Sequence, residues 1–222
     1  MMDYDLSLIA LVDDTLNSDK ERLILDVGIG TGWPIASSLL SLDYKISGVD
    51  ISSSLINKCL EDHPNIHSEV GDSENMPHES ESFDLVYCFH SSSLFPDLMK
   101  AIYEMFRVRK KSGVVLIDML NINNWGVNKN FQQHVFENSN FIGILFKTVK
   151  NLAKFILREG TQDWPFLISQ TPSDPGMVIE ECLLSGGKAW VYSWLNNSLQ
   201  EITVSDGDKY RDHSRVVISC KF

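Results

Sequence analysis

Asp26 stands two residues before Gly28-Ile29-Gly30-Thr31-Gly32. Glycines at this spacing let a backbone turn sharply and approach a ligand closely, because no Cβ intervenes. A helix opening after such a turn points unsatisfied N–H groups at whatever the turn holds. Asp50 follows 22 residues after Gly28, about the separation at which a carboxylate meets ribose hydroxyls in a nucleotide-binding βαβ unit. Both ribose O–H groups can donate to one carboxylate. A turn or N-cap aspartate before Ser52-Ser53-Ser54 is the plainer alternative, and the glycine loop upstream favours the ribose role. His90 closes an apolar run and titrates near neutrality when free, which suits a general base.

The elements that must position these groups are legible in the apolar pattern. Leu23 to Val27 is too short for a helix and runs straight into the glycines, and Ile35 to Leu42 follows at helical spacing, giving strand, tight turn and helix. Lys45–Asp50 reads as a second strand, Ser52–Asp62 as a helix ending near Pro64, and Ile66–Val70 as a weak third strand. His63 and His67 have metal-pair spacing, but Pro64 between them breaks any helix. Phe83–Phe89 is near-continuously apolar, as for a strand covered on both faces. A helix from Pro96 to Val108, with Pro96 in its first turn, leads through a surface turn at Arg109–Gly113 to a fifth strand, Gly113–Asp118. Asp174-Pro175-Gly176 reads as N-cap and first turn of a helix to Leu184, which Gly186-Gly187 terminates. Ala189–Trp194 and Arg215–Cys220 are the last clear strands, with a short candidate at Leu199–Val204. No crossover helix fits between them, so they should pair antiparallel.

The chain has 222 residues, 43% of them hydrophobic and 22% charged, within the range of one soluble globular domain. Net charge is −11, which argues against a nucleic-acid partner. No apolar run reaches the roughly 18 residues of a membrane span. The four cysteines are scattered, and the acidic start lacks a signal peptide's basic residues, so a cytoplasmic location is the expectation. Residues 1–21 hold one short amphipathic segment, Leu6–Leu16, leaving little to roof a site.

The order acidic-x-Gly-x-Gly-x-Gly resembles motif I of the class I S-adenosylmethionine-dependent methyltransferases. Trp33 stands where a dinucleotide fingerprint would place a glycine. Gly71-Asp72-Ser73-Glu74-Asn75-Met76-Pro77 resembles that family's adenine-recognition segment. The run from Phe83 to Asp118 is similar to small-molecule members of the ubiquinone/menaquinone-biosynthesis type. The resemblance implies an α/β Rossmann-like three-layer sandwich, a seven-stranded mostly parallel sheet ending in an antiparallel C-terminal hairpin strand. It implies S-adenosyl-L-methionine as cofactor and S-adenosyl-L-homocysteine as product. Its cofactor-binding positions fall here on Asp26, Gly28, Ile29, Gly30, Gly32, Asp50, Ile51, Asp72, Ser73, Phe89 and His90. In this family the acid of the loop faces the cofactor's ammonium, Ile51 packs on adenine, and Asp72 accepts from its amino group. His90 is either the base for a protonated acceptor or a structural histidine seating the methionine end, and both readings stay open. No metal is expected: Asp118 and Asn121 offer only part of a magnesium site.

Residues 120–172 are the least family-like part and rich in aromatics, Trp125 and Trp164 among them. A stretch this long between family elements reads as a lid over the substrate within a single 1–222 domain. Phe141–Arg158 is a helix by pattern, its Lys147, Lys150, Lys154 and Arg158 face either solvated or set against an anion or membrane surface. The expected partner is a small-molecule acceptor, hydrophobic or aromatic, with no nucleic acid and no stable membrane insertion; a homo-oligomer is left open. The alternatives are a catalytically silent AdoMet-binding partner subunit and, behind it, an NAD-dependent oxidoreductase.

Overall fold

A computed structural model of the chain describes residues 3–19, 21–121, 173–195, 198–202 and 215–222. The expected lid, with Trp125 and Trp164, lies outside the described residues apart from its first two positions and Ser173, which follows it. Helix α1 is Asp3–Thr15, then β1 Leu23–Val27, α2 Ile35–Ser41, β2 Lys45–Asp50, α3 Ser53–Asp62, β3 His67–Val70, β4 Phe83–Cys88, α4 Leu98–Val108, β5 Arg109–Leu120, α5 Pro175–Leu184, β6 Lys188–Leu195, β7 Ser198–Ile202 and β8 Arg215–Lys221.

One sheet holds all the strands of the described residues, in the order β3-β2-β1-β4-β5-β8-β6-β7. The first five neighbours are parallel, and β8 runs antiparallel to both β5 and β6. The expected antiparallel pairing of the last two clear strands is thus present. The sheet has eight strands instead of seven, because β7 pairs antiparallel to β6 at the far edge. Its half-exposed, polar Ser198–Ile202 pattern is that of an edge strand with water on one side.

Strand residues alternate between two cores, as a pleat of period two requires. Leu25, Val27, Val86, Cys88, Val115 and Ile117 face α4 and α5; Ile24, Leu85, Tyr87, Val114 and Leu116 face α1, α2 and α3. Helices therefore cover both faces, and every β4 residue is buried. Asp26 and Tyr87 share the second face and are partners across β1 and β4.

Two local expectations are corrected. Helix α4 begins at Leu98, not Pro96: Asp97 is the N-cap, its carboxylate accepting from Lys100 N at 3.2 Å. A side-chain acceptor satisfies an orphan helix N–H, which a proline ring cannot do. The Arg109–Gly113 stretch is not a surface turn but the start of β5, which pairs with β4 across a register shift between Phe83 and Leu85. Ser52 caps α3 and Asp174 caps α5 through their side chains. No helix of the described residues is long and apolar enough to cross a membrane.

Candidate functional site

The cavity at the carboxyl ends of β1 and β4 has a volume of about 270 Å³, on the scale of one nucleoside-sized ligand. Asp26, Gly28, Ile29, Gly30, Gly32, Asp50, Phe89 and His90 all line it. Gly28 and Gly30 sit at φ of 81° and 58°, in the left-handed region that costs an L side chain energy. A Cβ on Gly28 would stand 2.4 Å from Ser91 Oγ, whereas one on Gly30 would meet nothing within 4 Å. The first glycine is required by packing, and the second leaves an open place beside the loop.

The loop is tied to β2 from both sides. Gly28 N donates to Val49 O at 2.8 Å, and Gly30 N to Asp50 Oδ2 at 2.9 Å. Asp50 Oδ1 accepts from Ser52 N at 2.9 Å. The Asp50 carboxylate is thereby held at the cavity wall, half-buried, with acceptor capacity remaining for hydroxyl donors.

Asp26 lies at the cavity floor and is 6% exposed. The Tyr87 hydroxyl donates to its Oδ2 at 2.7 Å. Burial pushes the Asp26 carboxyl up to about 7; the Tyr87 hydrogen bond opposes this and the Asp50 charge adds to it. A cation in the cavity would favour its ionised form.

Three expected cofactor residues do not line the cavity. Ile51 is 76% exposed at the surface just past Asp50. Asp72 and Ser73 follow β3, whose Val70 is in register with Asp50, and the Asp72 carboxylate accepts from Glu74 N at 2.9 Å. Their loop is braced by α4: Glu104 Oε2 accepts from Met76 N at 2.8 Å, and Arg107 Nη2 donates to Met76 O at 3.1 Å. These residues form a rim beyond Asp50, beside the cavity and not in its wall.

His90 lines the cavity at φ 64° and meets groups that sequence reasoning missed. Its Nε2 is 3.0 Å from Asp5 Oδ1 on α1, and its Nδ1 is 3.2 Å from Arg215 Nη1 on β8. Asp118 on β5, buried, accepts from the Tyr4 hydroxyl at 3.0 Å and pairs with Arg215 Nε at 3.3 Å. Burial pushes the Asp118 carboxyl up, against the pull of Arg215, His90 and Tyr4. No local spacing could announce a contact between residues 5, 90 and 215. Among the described residues no group of three or more His, Cys, Asp or Glu is placed to hold a metal ion.

A parallel sheet closed by antiparallel strands carries a glycine turn that faces an acid at the end of β2. Residues 25–117 match the family model described as a methyltransferase domain. The chain is similar to the demethylmenaquinone methyltransferase of Chlorobaculum tepidum, 33% identical over 102 residues, 46% of this chain and 42% of that one. It is also similar to an uncharacterized methyltransferase of Bacillus subtilis, 27% identical over 115 residues, 49% of this chain and 45% of that one. The chain thus matches less than half the length of these curated relatives. In fold it resembles a SAM-dependent methyltransferase of Thermotoga maritima, with a TM-score of 0.63, 17% identity, and coverage of 98% of this chain and 88% of that one. A TehB-like SAM-dependent methyltransferase of Corynebacterium glutamicum gives 0.60 at 16% identity, covering 96% and 85%.

The cavity residues fit S-adenosylmethionine. Open space at Gly30 admits a ligand against the backbone, Asp50 offers acceptors to vicinal hydroxyls, and the poised Asp26 offers a counter-charge to an ammonium.

Proposed function

We propose that this protein transfers the methyl group of S-adenosylmethionine to a small, hydrophobic or aromatic acceptor. The carrying observation is the convergence of Asp26, the Gly28–Gly32 turn and Asp50 on one cavity at the carboxyl ends of β1 and β4, the switch point at which open α/β sheets bind ligands. Bound there, the cofactor supplies an activated sulfonium methyl.

The chain's own residues have three tasks in this reading. Asp50 accepts from the ribose hydroxyls while its backbone ties to Gly30 and Ser52 keep it aimed. Asp26, ionised, faces the ammonium and fixes the methionine end. Phe89, stacked on Tyr87 with ring centroids 4.7 Å apart, presents an apolar wall that excludes water. Holding nucleophile, methyl and sulfur in line is worth on the order of 7–11 kcal/mol. Ile51, Asp72 and Ser73 serve as an adenine rim, and residues 120–172 as the acceptor's lid, with Trp125 and Trp164 in it. The acceptor class is supported by the names of relatives, which refer to demethylmenaquinone and to ubiquinone/menaquinone biosynthesis, and a net charge of −11 disfavours nucleic acid.

The test is calorimetric titration of the purified protein with S-adenosylmethionine, S-adenosylhomocysteine and NADH. Micromolar binding of the first two without NADH is the expected result. Binding of NADH alone would overturn the reading.

A further inference from the structure

The histidine at the cavity wall has no free nitrogen. A guanidinium has donors only, so at 3.2 Å Arg215 Nη1 donates and His90 Nδ1 accepts. The ring proton then sits on Nε2 and is donated to Asp5 Oδ1 at 3.0 Å. The remaining charged and titratable groups around the ring hold this arrangement in place. Asp118 Oδ1 takes Arg215 Nε and the Tyr4 hydroxyl; Asp118 Oδ2 accepts from the His90 backbone N–H at 3.3 Å and lies 3.5 Å from Nδ1. The Arg215 guanidinium also stands 5.7 Å over the Tyr4 ring. Four segments of the chain meet here: the first turn of α1, the turn after β4, β5 and β8.

We propose that His90 is a clasp and not a base. Its ring joins the first turn of α1 to the cavity wall, so that the docking of Tyr4 and Asp5 and the binding of S-adenosylmethionine favour one another. The proposal rests on the methyltransferase reading of the cavity. Asp5 is 2% exposed, whereas the His90 side chain is 33% exposed and lines the cavity, so the ring is the link between a buried anchor and the ligand's space. The body of α1 is fixed separately by Leu8, Ile9 and Val12, all buried in the core on that face. Cutting the clasp therefore loosens the first turn, which Tyr4 still ties to Asp118, without undocking the helix. Asp5 and His90 are positioning residues: they act through the shape of the wall.

The experiment measures S-adenosylmethionine affinity by calorimetry and amide exchange of residues 3–8 with and without that ligand. In the unaltered protein the ligand slows exchange in this segment. Asp5→Ala weakens binding by about tenfold, the scale of a buried, charge-assisted hydrogen bond, and the exchange response disappears. Asp5→Asn restores both, because its carbonyl oxygen still accepts from Nε2–H. The Asp5→Ala/His90→Ala pair loses no more affinity than the weaker-binding of the two single variants. Unaltered affinity and exchange in Asp5→Ala would overturn the clasp. So would additive losses in the pair, or an Asp5→Asn as weak as Asp5→Ala, which would demand a doubly protonated ring. A failure of the unaltered protein to bind the ligand would instead remove the cofactor reading, and the clasp with it.

Discussion

The Tyr87 hydroxyl donates to Asp26 Oδ2 at 2.7 Å across the β1–β4 ladder, beneath the cavity. In the proposed reading, burial makes Asp26 a proton-linked element of ligand binding, and the Tyr87 hydrogen bond tempers the effect. Burial raises its carboxyl from 3.8 to about 7, so between these values the folded chain holds a proton that the unfolded chain has released. Stability from this group accordingly falls as pH rises through that window. An ammonium ligand needs the ionised carboxylate, which gives binding the opposite slope. Affinity for S-adenosylmethionine should rise from pH 6 towards 7.5, then fall as the ligand's own amino group, near about 7.7–8.0, loses its proton. Calorimetry in buffers of different ionisation enthalpy should register proton release at pH 6. The Tyr87→Phe variant removes a contact that lowers the Asp26 value, so the rising limb should move to higher pH. A flat profile would take the ammonium role away from Asp26.

Asp50→Ala should weaken S-adenosylmethionine by at least about tenfold, since hydrogen bonds to a charged group are worth roughly 1.5–3 kcal/mol. Two effects combine: the ribose acceptor is lost, and Gly30 N and Ser52 N lose the carboxylate that ties them together. Unchanged affinity on titration would remove the ribose assignment.

The two loop glycines should fail differently. In Gly28→Ala the new methyl overlaps the Ser91 side chain at a left-handed φ, so the melting temperature should drop along with binding. Gly30→Ala meets no protein atom, so its fold should lose only the roughly 1–2 kcal/mol of a left-handed alanine. Its S-adenosylmethionine affinity should fall further than its stability does. Thermal unfolding and titration of both variants read the two losses separately.

Trp33 is 63% exposed and lines the same cavity. A ligand there displaces water from the indole, so S-adenosylmethionine should shift the emission spectrum, and Trp33→Phe should abolish that shift. An identical spectral change in the variant would place the ligand elsewhere.

The parallel half of the sheet was legible because each βαβ unit carries its signals locally: β1, β2 and the glycine turn lie within 28 consecutive residues. The closing antiparallel strands could be read from the missing crossover helix. Strand β7 showed only as a short candidate at Leu199–Val204, since an edge strand of mixed polarity lacks the apolar run of a covered one. Asp26 and Asp50 declared themselves by spacing from the glycines. Tyr87 was hidden inside an apolar run, where its ring is core and only its hydroxyl reaches Asp26. Tyr4, Asp5 and Arg215 gave no signal, because their meeting is set by how α1 and β8 pack and by no sequence interval.

Strand β8, late in the chain, lies inside the sheet between β5 and β6. Synthesis therefore delivers an interior strand after both of its neighbours. The cradle of Gly28, Asp50 and Tyr87 is complete in sequence once β4 has been made, while Arg215, which orients His90, arrives more than a hundred residues later. Contacts of such long sequence separation close slowly. A nascent chain halted before β8 carries the nucleotide cradle with an unfinished wall, and the central slot between β5 and β6 stands open as two unpaired strand edges. The interval before that slot is filled is when the growing chain is most exposed to mispairing with another copy of itself.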